Sequence, residues 1–310
     1  MEISIIIPVY NKEQYVKSCL TSALSQDFDD YEVIAIDDGS TDSSGIICDE
    51  VASKDCRLRV IHTENSGVTA ARRRGVEEAQ GRFIMFCDSD DELLPHALKK
   101  TYKAMIDNDA DEVVAPFQNQ QKRVFDSGQR GTISPLFIIK DFLATKNSFP
   151  ANCAILFRRQ IILAGCLDIP RDIFLGEDIL FHIRYLTKVQ KVFCVKESNY
   201  IYNQGISSYP EMSLQYEQRY DELLKAALQP VWEQMEPYFR LRQVKTYEKF
   251  IDLRQFSVYN DYYCQLKGKL DDAIPLADKL VFALPPRFSY YLIHTYKWWL
   301  RRRTKHITNN

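Results

Sequence analysis

Four short segments of this chain carry residue types that can bind or move charge. The densest is Asp88-Ser89-Asp90-Asp91, which follows the apolar run Phe83 to Cys87 and so holds several carboxylates on a tight turn. Hard divalent cations take oxygen ligands of this kind, and Mg²⁺ or Mn²⁺ is commonly held by one or two carboxylates while substrate phosphates complete its shell. Asp90 is the chief candidate ligand, with Asp88 assisting it or holding a ribose. Asp91 reads instead as the cap of a helix expected to start near Leu93. The second segment is Asp37-Asp38-Gly39-Ser40-Thr41-Asp42. A carboxylate of the first pair can accept the ring N–H of a pyrimidine, Gly39 permits close backbone approach, and the last three residues form an ordinary helix-start signature.

The third segment is Asn65-Ser66-Gly67 followed by Ala70-Ala71-Arg72-Arg73-Arg74-Gly75. Successive helical residues point about 100° apart, so the three arginines cannot share one direction. Arg72 is the candidate for a diphosphate, and the others are expected to be solvated or paired with Glu77 and Glu78. The fourth is Gly176-Glu177-Asp178 at a helix start. The helix dipole alone would favour acids there, but a carboxylate in this place could also take the proton of an attacking hydroxyl.

These residues need a scaffold that gathers them. The first hundred residues alternate β-branched runs with amphipathic helical stretches, which predicts a mostly parallel sheet covered by helices. Strands are expected at Ile3 to Val9, Tyr31 to Ile36, Leu58 to Ile61 and Phe83 to Cys87, with Asn11 capping the first helix and a further helix through Ala70 to Ala79. Ligands of open α/β sheets sit beyond the carboxyl ends of the strands, which is where Pro8-Val9-Tyr10-Asn11 and the two aspartate clusters fall. Further on, strands are expected at Glu112 to Phe117, Asn152 to Phe157 and Val192 to Val195, with a helix through Asp178 to Lys188. Residues 1–212 then form an α/β domain and residues 213–310 a mainly helical region.

Composition narrows the classes. The 310 residues are 45% hydrophobic and 26% charged with a formal net charge of -2, without the basic surplus of a nucleic-acid binder. The eight cysteines form no Cys-x-x-Cys or ligand cluster and read as small buried side chains of a reducing compartment. The N-terminus lacks a signal-peptide pattern, and no window approaches the ~20 apolar residues that span a bilayer. The chain is therefore expected in the cytoplasm or at the inner face of the membrane. Near the end, Trp298, Trp299 and the Arg301 to Arg303 cluster suit a lipid-headgroup boundary, a dimer contact or packing on the catalytic domain.

In this order and spacing the segments resemble family 2 glycosyltransferases over about residues 3 to 210. The resemblance rests on Pro8-Val9-Tyr10-Asn11, Asp37-Asp38-Gly39-Ser40-Thr41-Asp42, Asn65-Ser66-Gly67 with Ala71-Arg72, Asp88-Ser89-Asp90-Asp91 and Glu177-Asp178. It implies a GT-A fold, a nucleotide-diphosphate sugar donor (UDP by preference), a divalent Mn²⁺ or Mg²⁺ ion and inversion at the anomeric carbon. Carried over by residue, Pro8, Tyr10, Asn11, Asp37 and Asp38 would line the nucleoside pocket. Asn65, Gly67 and Arg72 would lie near the nucleotide or phosphates, Asp88 and Ser89 near the ribose, and Asp90 and Asp88 at the metal. Asp178, with Glu177 beside it, would be the base, and Ser207 would belong to a segment that closes over the diphosphate. The family's usual Ala-Arg-Asn-x-Gly is here Ala71-Arg72-Arg73-Arg74-Gly75. No Gln-x-x-Arg-Trp signature of processive synthases is present, so transfer of one or a few sugars to a saccharide or lipid-linked acceptor in cell-envelope polysaccharide synthesis is expected. A nucleotidyltransferase is the rival enzyme, but its Gly-rich phosphate loop is absent after strand one. A binding module without catalysis is the non-enzyme alternative.

Overall fold

The structure is a computed structural model that describes residues 1–203, 213–258, 264, 266 and 274–295. Strands and helices first alternate: β1 (Ile3–Val9), α1 (Val16–Leu24), β2 (Tyr31–Asp37), α2 (Ser44–Ala52), β3 (Leu58–His62), α3 (Val68–Glu78) and β4 (Phe83–Phe86). A mixed stretch follows: β5 (Glu92–Leu93), α4 (Ala97–Asp107), β6 (Glu112–Val114), β7 (Phe117–Asn119), β8 (Val124–Phe125), β9 (Gly131–Ile133) and α5 (Pro135–Leu143). Then come β10 (Ile155–Arg158), α6 (Arg159–Leu163), α7 (Glu177–Leu186), β11 (Val192–Cys194), β12 (Tyr200–Tyr202), α8 (Leu214–Ala227), α9 (Trp232–Asp252) and α10 (Leu276–Ala283). A last helix, α11, covers 286–295.

Among the described residues the main sheet runs β3-β2-β1-β4-β10-β6-β11-β9. The pairs β1/β2, β1/β4, β2/β3 and β6/β11 are parallel, while β10 lies antiparallel to β4 and β6, and β9 to β11. The expected α/β class with a mostly parallel, helix-covered sheet and a helical C-terminal region is what forms. β1 and β2 are buried along their whole length, because helices cover both faces of the sheet and a continuous apolar run such as Ile5-Ile6-Ile7 has no wet side to serve. Each such side chain contributes roughly 1.5–3 kcal/mol on burial. A smaller sheet, β5-β12-β7-β8, lies beyond the acidic turn.

Several local expectations change. The strand expected at Glu112 to Phe117 splits, since Pro116 has no N–H to give a ladder: β6 ends at Val114 and β7 starts in the other sheet. β10 begins only at Ile155, because Ala154 has φ +57° and turns the chain. No helix follows Asp91 at Leu93; those residues form β5, and the next helix starts at Ala97. Asn11 does not cap α1, whose N-cap is Tyr15.

The chain falls into two compact units, residues 1–139 with 147–211, and residues 140–146 with 212–310. The second has its own core of Leu241, Val244, Tyr247, Phe250 and Ile251 on α9 with Val281, Phe282 and Ile293. Arg242 on α9 pairs with Glu217 at 2.8 Å and with Asp221, both buried on α8, and its guanidinium lies 4.7 Å from the Tyr220 ring centroid. No helix among the described residues is long and apolar enough to cross a membrane.

Candidate active site

The first unit contains a crevice of about 530 Å³ at the carboxyl ends of β1, β2 and β4. Its walls include Pro8, Tyr10, Asp38, Asn65, Gly67, Arg72, Asp88, Ser89, Asp90 and Glu177, each named as a candidate from sequence. Three parallel strands end at one level, so segments far apart in the chain meet without long loops.

One wall is built on Asp38. Its carboxylate accepts the amides of Ser66 and Gly67, both at 2.8 Å, and Asn65 Nδ2 donates to its carbonyl at 3.0 Å. Gly67 (φ +92°) makes the turn that aims those amides and starts α3. A carboxylate has about four acceptor positions, so Asp38 keeps capacity for a ligand N–H. Tyr10 stands 47% exposed at the rim, an aromatic face open to a base.

Asp37 and Asn11 take other places. The Asp37 carboxylate meets His62 Nδ1 at 2.8 Å and accepts the Ser40 amide, away from the crevice walls, because successive side chains of a strand end point to opposite faces. His62, held by Asp37 first and by Asp49 as well, has its pKa raised. Asn11 adopts φ +52° and its Oδ1 accepts the Thr41 amide at 2.8 Å, tying the ends of β1 and β2 together. Both brace the crevice rather than line it. Ser207 lies outside the described residues.

The acidic turn sits opposite. Asp88 Oδ1 accepts from Arg72 at 2.8 Å, and Asp90 Oδ2 meets Lys12 Nζ at 2.5 Å. Behind them, the Tyr200 hydroxyl donates to Asp91 at 2.7 Å and accepts the Asp88 amide, while Asn203 gives its backbone N–H to Asp91 and its side-chain amide to the Asp90 carbonyl, both at 2.7 Å. Burial, with the charge of Asp88, pushes Asp91 up to about 8. The turn is thus clamped from β12, an element whose approach no local sequence signal announces. Among the described residues no three His, Cys, Asp or Glu side chains converge to hold a metal alone. The oxygen donors of Asp88 and Asp90 do fit a divalent ion whose remaining positions come from a diphosphate, and the Lys12 ammonium marks where positive charge is favourable.

Arg72 joins this turn to α7. It is 5% exposed and places NH1 3.8 Å from Glu177 while NH2 holds Asp88. Burial would lower its pKa, but Asp88 and Glu177 outweigh that and raise it. Arg74 pairs with Glu78 at 2.6 Å as expected, whereas Arg73 turns to the distant Asp168 at 3.7 Å; helical spacing points both away from Arg72. Glu177 is the member of the acidic pair on the crevice wall; burial and the neighbouring Asp178 raise it to about 7 against the pull of Arg72. Asp178 is also raised, by burial first, with the Ile179 amide at 2.8 Å and Arg72 opposing. The two acids therefore titrate as a pair. Lys12 and Phe174 line the crevice too, and Arg171 holds Asn65 Oδ1 at 2.7 Å. Sequence reading missed these three. Lys12 follows directly on Asn11, but a lysine at a strand end carries no mark of its partner.

The sequence profile of glycosyl transferase family 2 matches residues 4–164. The uncharacterized glycosyltransferase EpsJ of Bacillus subtilis is 30% identical over 240 residues, covering 73% of this chain and 67% of that protein. The poly(ribitol-phosphate) beta-glucosyltransferase of Bacillus spizizenii is 31% identical over 206 residues, covering 65% of this chain but only 32% of that protein. Residues 1–349 of S. aureus TarS, solved with UDP-GlcNAc, superpose with a TM-score of 0.67 at 18% identity, over 97% of this chain and 92% of that one, which is a likeness of fold.

Proposed function

Since the chain belongs to glycosyl transferase family 2, we propose that it moves a sugar, with inversion, from a UDP-sugar to a hydroxyl of a saccharide or lipid-linked glycan. The observation that carries this is Arg72, buried between Asp88 of the acidic turn and Glu177 of the acidic pair in one crevice. An arginine so placed can face a diphosphate while an adjacent carboxylate receives a proton. The UDP-GlcNAc complex of the TarS fragment and the glucosyl transfer in the name of the B. spizizenii relative support the choice of donor.

In this reading Tyr10, Pro8 and Asp38 receive the nucleoside, with Asn65 and Gly67 closing that wall. A divalent Mn²⁺ or Mg²⁺ held by Asp90 and Asp88 would supply Lewis-acid charge to the leaving diphosphate. Arg72 and Lys12 bring fixed positive charge to the same end of the crevice, where the departing oxygens gain negative charge. Asp178 accepts the proton of the attacking hydroxyl, and Glu177 keeps Arg72 in place and sets the pair's proton affinity. Residues 1–212 carry donor binding and catalysis, while residues 213–310 serve acceptor, membrane-surface or subunit contacts. Incubation with a panel of UDP-sugars, a divalent ion and glycan acceptors, followed by NMR of the product's anomeric proton, tests this. Retained configuration, or nucleotide binding without any transfer or hydrolysis, would overturn it, the latter in favour of a binding module.

A further inference from the structure

Helices α8 and α9 of the second unit follow one another in the chain, yet they leave between them a cleft of about 480 Å³. Pockets that hold small ligands run to roughly 300–1,000 Å³. The α9 wall is one helical face, on which Trp232, Glu236, Phe239 and Gln243 recur at steps of three and four over about 16 Å of axis. Asp221, Glu222 and Lys225 line the cleft from α8. Trp232 meets the Phe239 ring at 5.4 Å in an edge-to-face contact, and Lys225 Nζ lies 5.2 Å from the indole centroid. Deeper in, Asp221, Phe239 and Gln243 are all buried. Gln243 Nε2 donates to Asp221 Oδ2 at 3.0 Å, Arg242 holds Oδ1, and Arg240 donates to Glu236 at 2.6 Å. The polar groups of the cleft are thus oriented by the protein itself.

Three acids and two cations line this cleft, so neither sign of charge dominates. A phosphate-rich ligand would be repelled by Asp221, Glu222 and Glu236, and a basic peptide by Lys225 and Arg240. A neutral sugar ring matches instead. Its hydroxyls both donate and accept, which carboxylates, cations and the Gln243 amide answer side by side, and its C–H face suits an aromatic ring. We infer that the cleft between α8 and α9 binds a neutral saccharide chain. Its lining shares no residue with the donor crevice. Trp232 supplies the stacking face, and Lys225, exposed at the rim, passes from the indole to a sugar hydroxyl. The choice of ligand rests on the glycan acceptor proposed above. A glycan held here stays at high local concentration around the enzyme, as linked binding sites provide.

Calorimetric titration of the full chain, without donor, with maltohexaose, cellohexaose and chitohexaose tests it. Saturable binding of at least one hexaose is expected, and saturating UDP should leave it unchanged. Trp232→Ala should weaken that binding about tenfold. Glu222→Ala with Lys225→Ala, two exposed positions that the fold does not need, should weaken it similarly at an unchanged thermal midpoint. No saturable binding of any of the three, parental binding by either variant, or competition by UDP overturns the inference. Hexaose binding by a chain that transfers sugar from no donor would sink the proposed reaction and leave the cleft standing, so the two failures are told apart.

Discussion

At the scale of single residues the site turns on how charges are shared. Asp178→Asn should lower kcat by about 10²–10⁴-fold with the fold intact, the usual worth of a general base; near-parental turnover in steady-state assays would remove Asp178 from that role. Because the pair must be ionised to accept a proton and Glu177 sits near 7, kcat/KM should fall as pH drops through about 7. Arg72 holds that value down, so Arg72→Ala should move the acid limb of the pH profile upward besides weakening donor binding. An unmoved limb would show that the pair is not the titrating group. Tyr10, exposed at the rim, should cost ~1–3 kcal/mol of donor affinity when changed to Ala, measurable by calorimetry, if it stacks on a base.

At the scale of elements, α3 must press closely on β1 to bring Arg72 to the crevice. Gly75 makes that approach, for a Cβ there would lie 2.3 Å from Ile6 Cγ2. Ala is the better helix former by about 0.5–1 kcal/mol, yet overpacking costs about 1–3 kcal/mol. Packing should win: Gly75→Ala is expected to destabilise in urea titrations, with donor affinity reduced as α3 shifts. In the helical unit Lys245 on α9 joins Glu248 at 3.1 Å to Asp278 on α10 at 2.7 Å. Burial lifts Glu248 to about 7, with Lys245 opposing and Asp278 adding to the rise. The folded state therefore holds a proton that the unfolded chain releases near its ordinary pKa of 4.5. That contribution to stability is complete below the lower value and is lost as pH rises through the higher one. Thermal midpoints followed from pH 5 to 8 should fall less in Glu248→Gln than in the parent.

At the scale of the molecule, a ligand that binds only the folded state raises its stability by mass action, about 2.7 kcal/mol at a hundred times Kd. A UDP-sugar with Mn²⁺ should raise the thermal midpoint more than either alone, since the carboxylates of Asp88 and Asp90 complete an ion's shell only with diphosphate oxygens beside them. Equal shifts with and without the ion in a thermal-shift series would count against a metal role for Asp90.

The sequence by itself determined the sheet of parallel strands and the crevice at their ends. Short apolar runs rich in β-branched residues, such as Ile3 to Val9, read as strands buried on both faces, and the polar clusters stand directly after them. Helical spacing also required Arg72, Arg73 and Arg74 to point apart, but it took the fold to show that Arg72 is the one on the crevice wall. Tertiary structure decided what distant chain brings. Asp91 has the local look of a helix cap, but Tyr200 and Asn203, more than a hundred residues later, claim its carboxylate. Asn11 likewise reads as a cap until Thr41 takes its side chain, and Lys12 gains a partner only when β1 and the acidic turn come within reach. Periodicity and capping are written within a few residues, whereas the partner of a buried polar group is fixed only by which elements pack beside it.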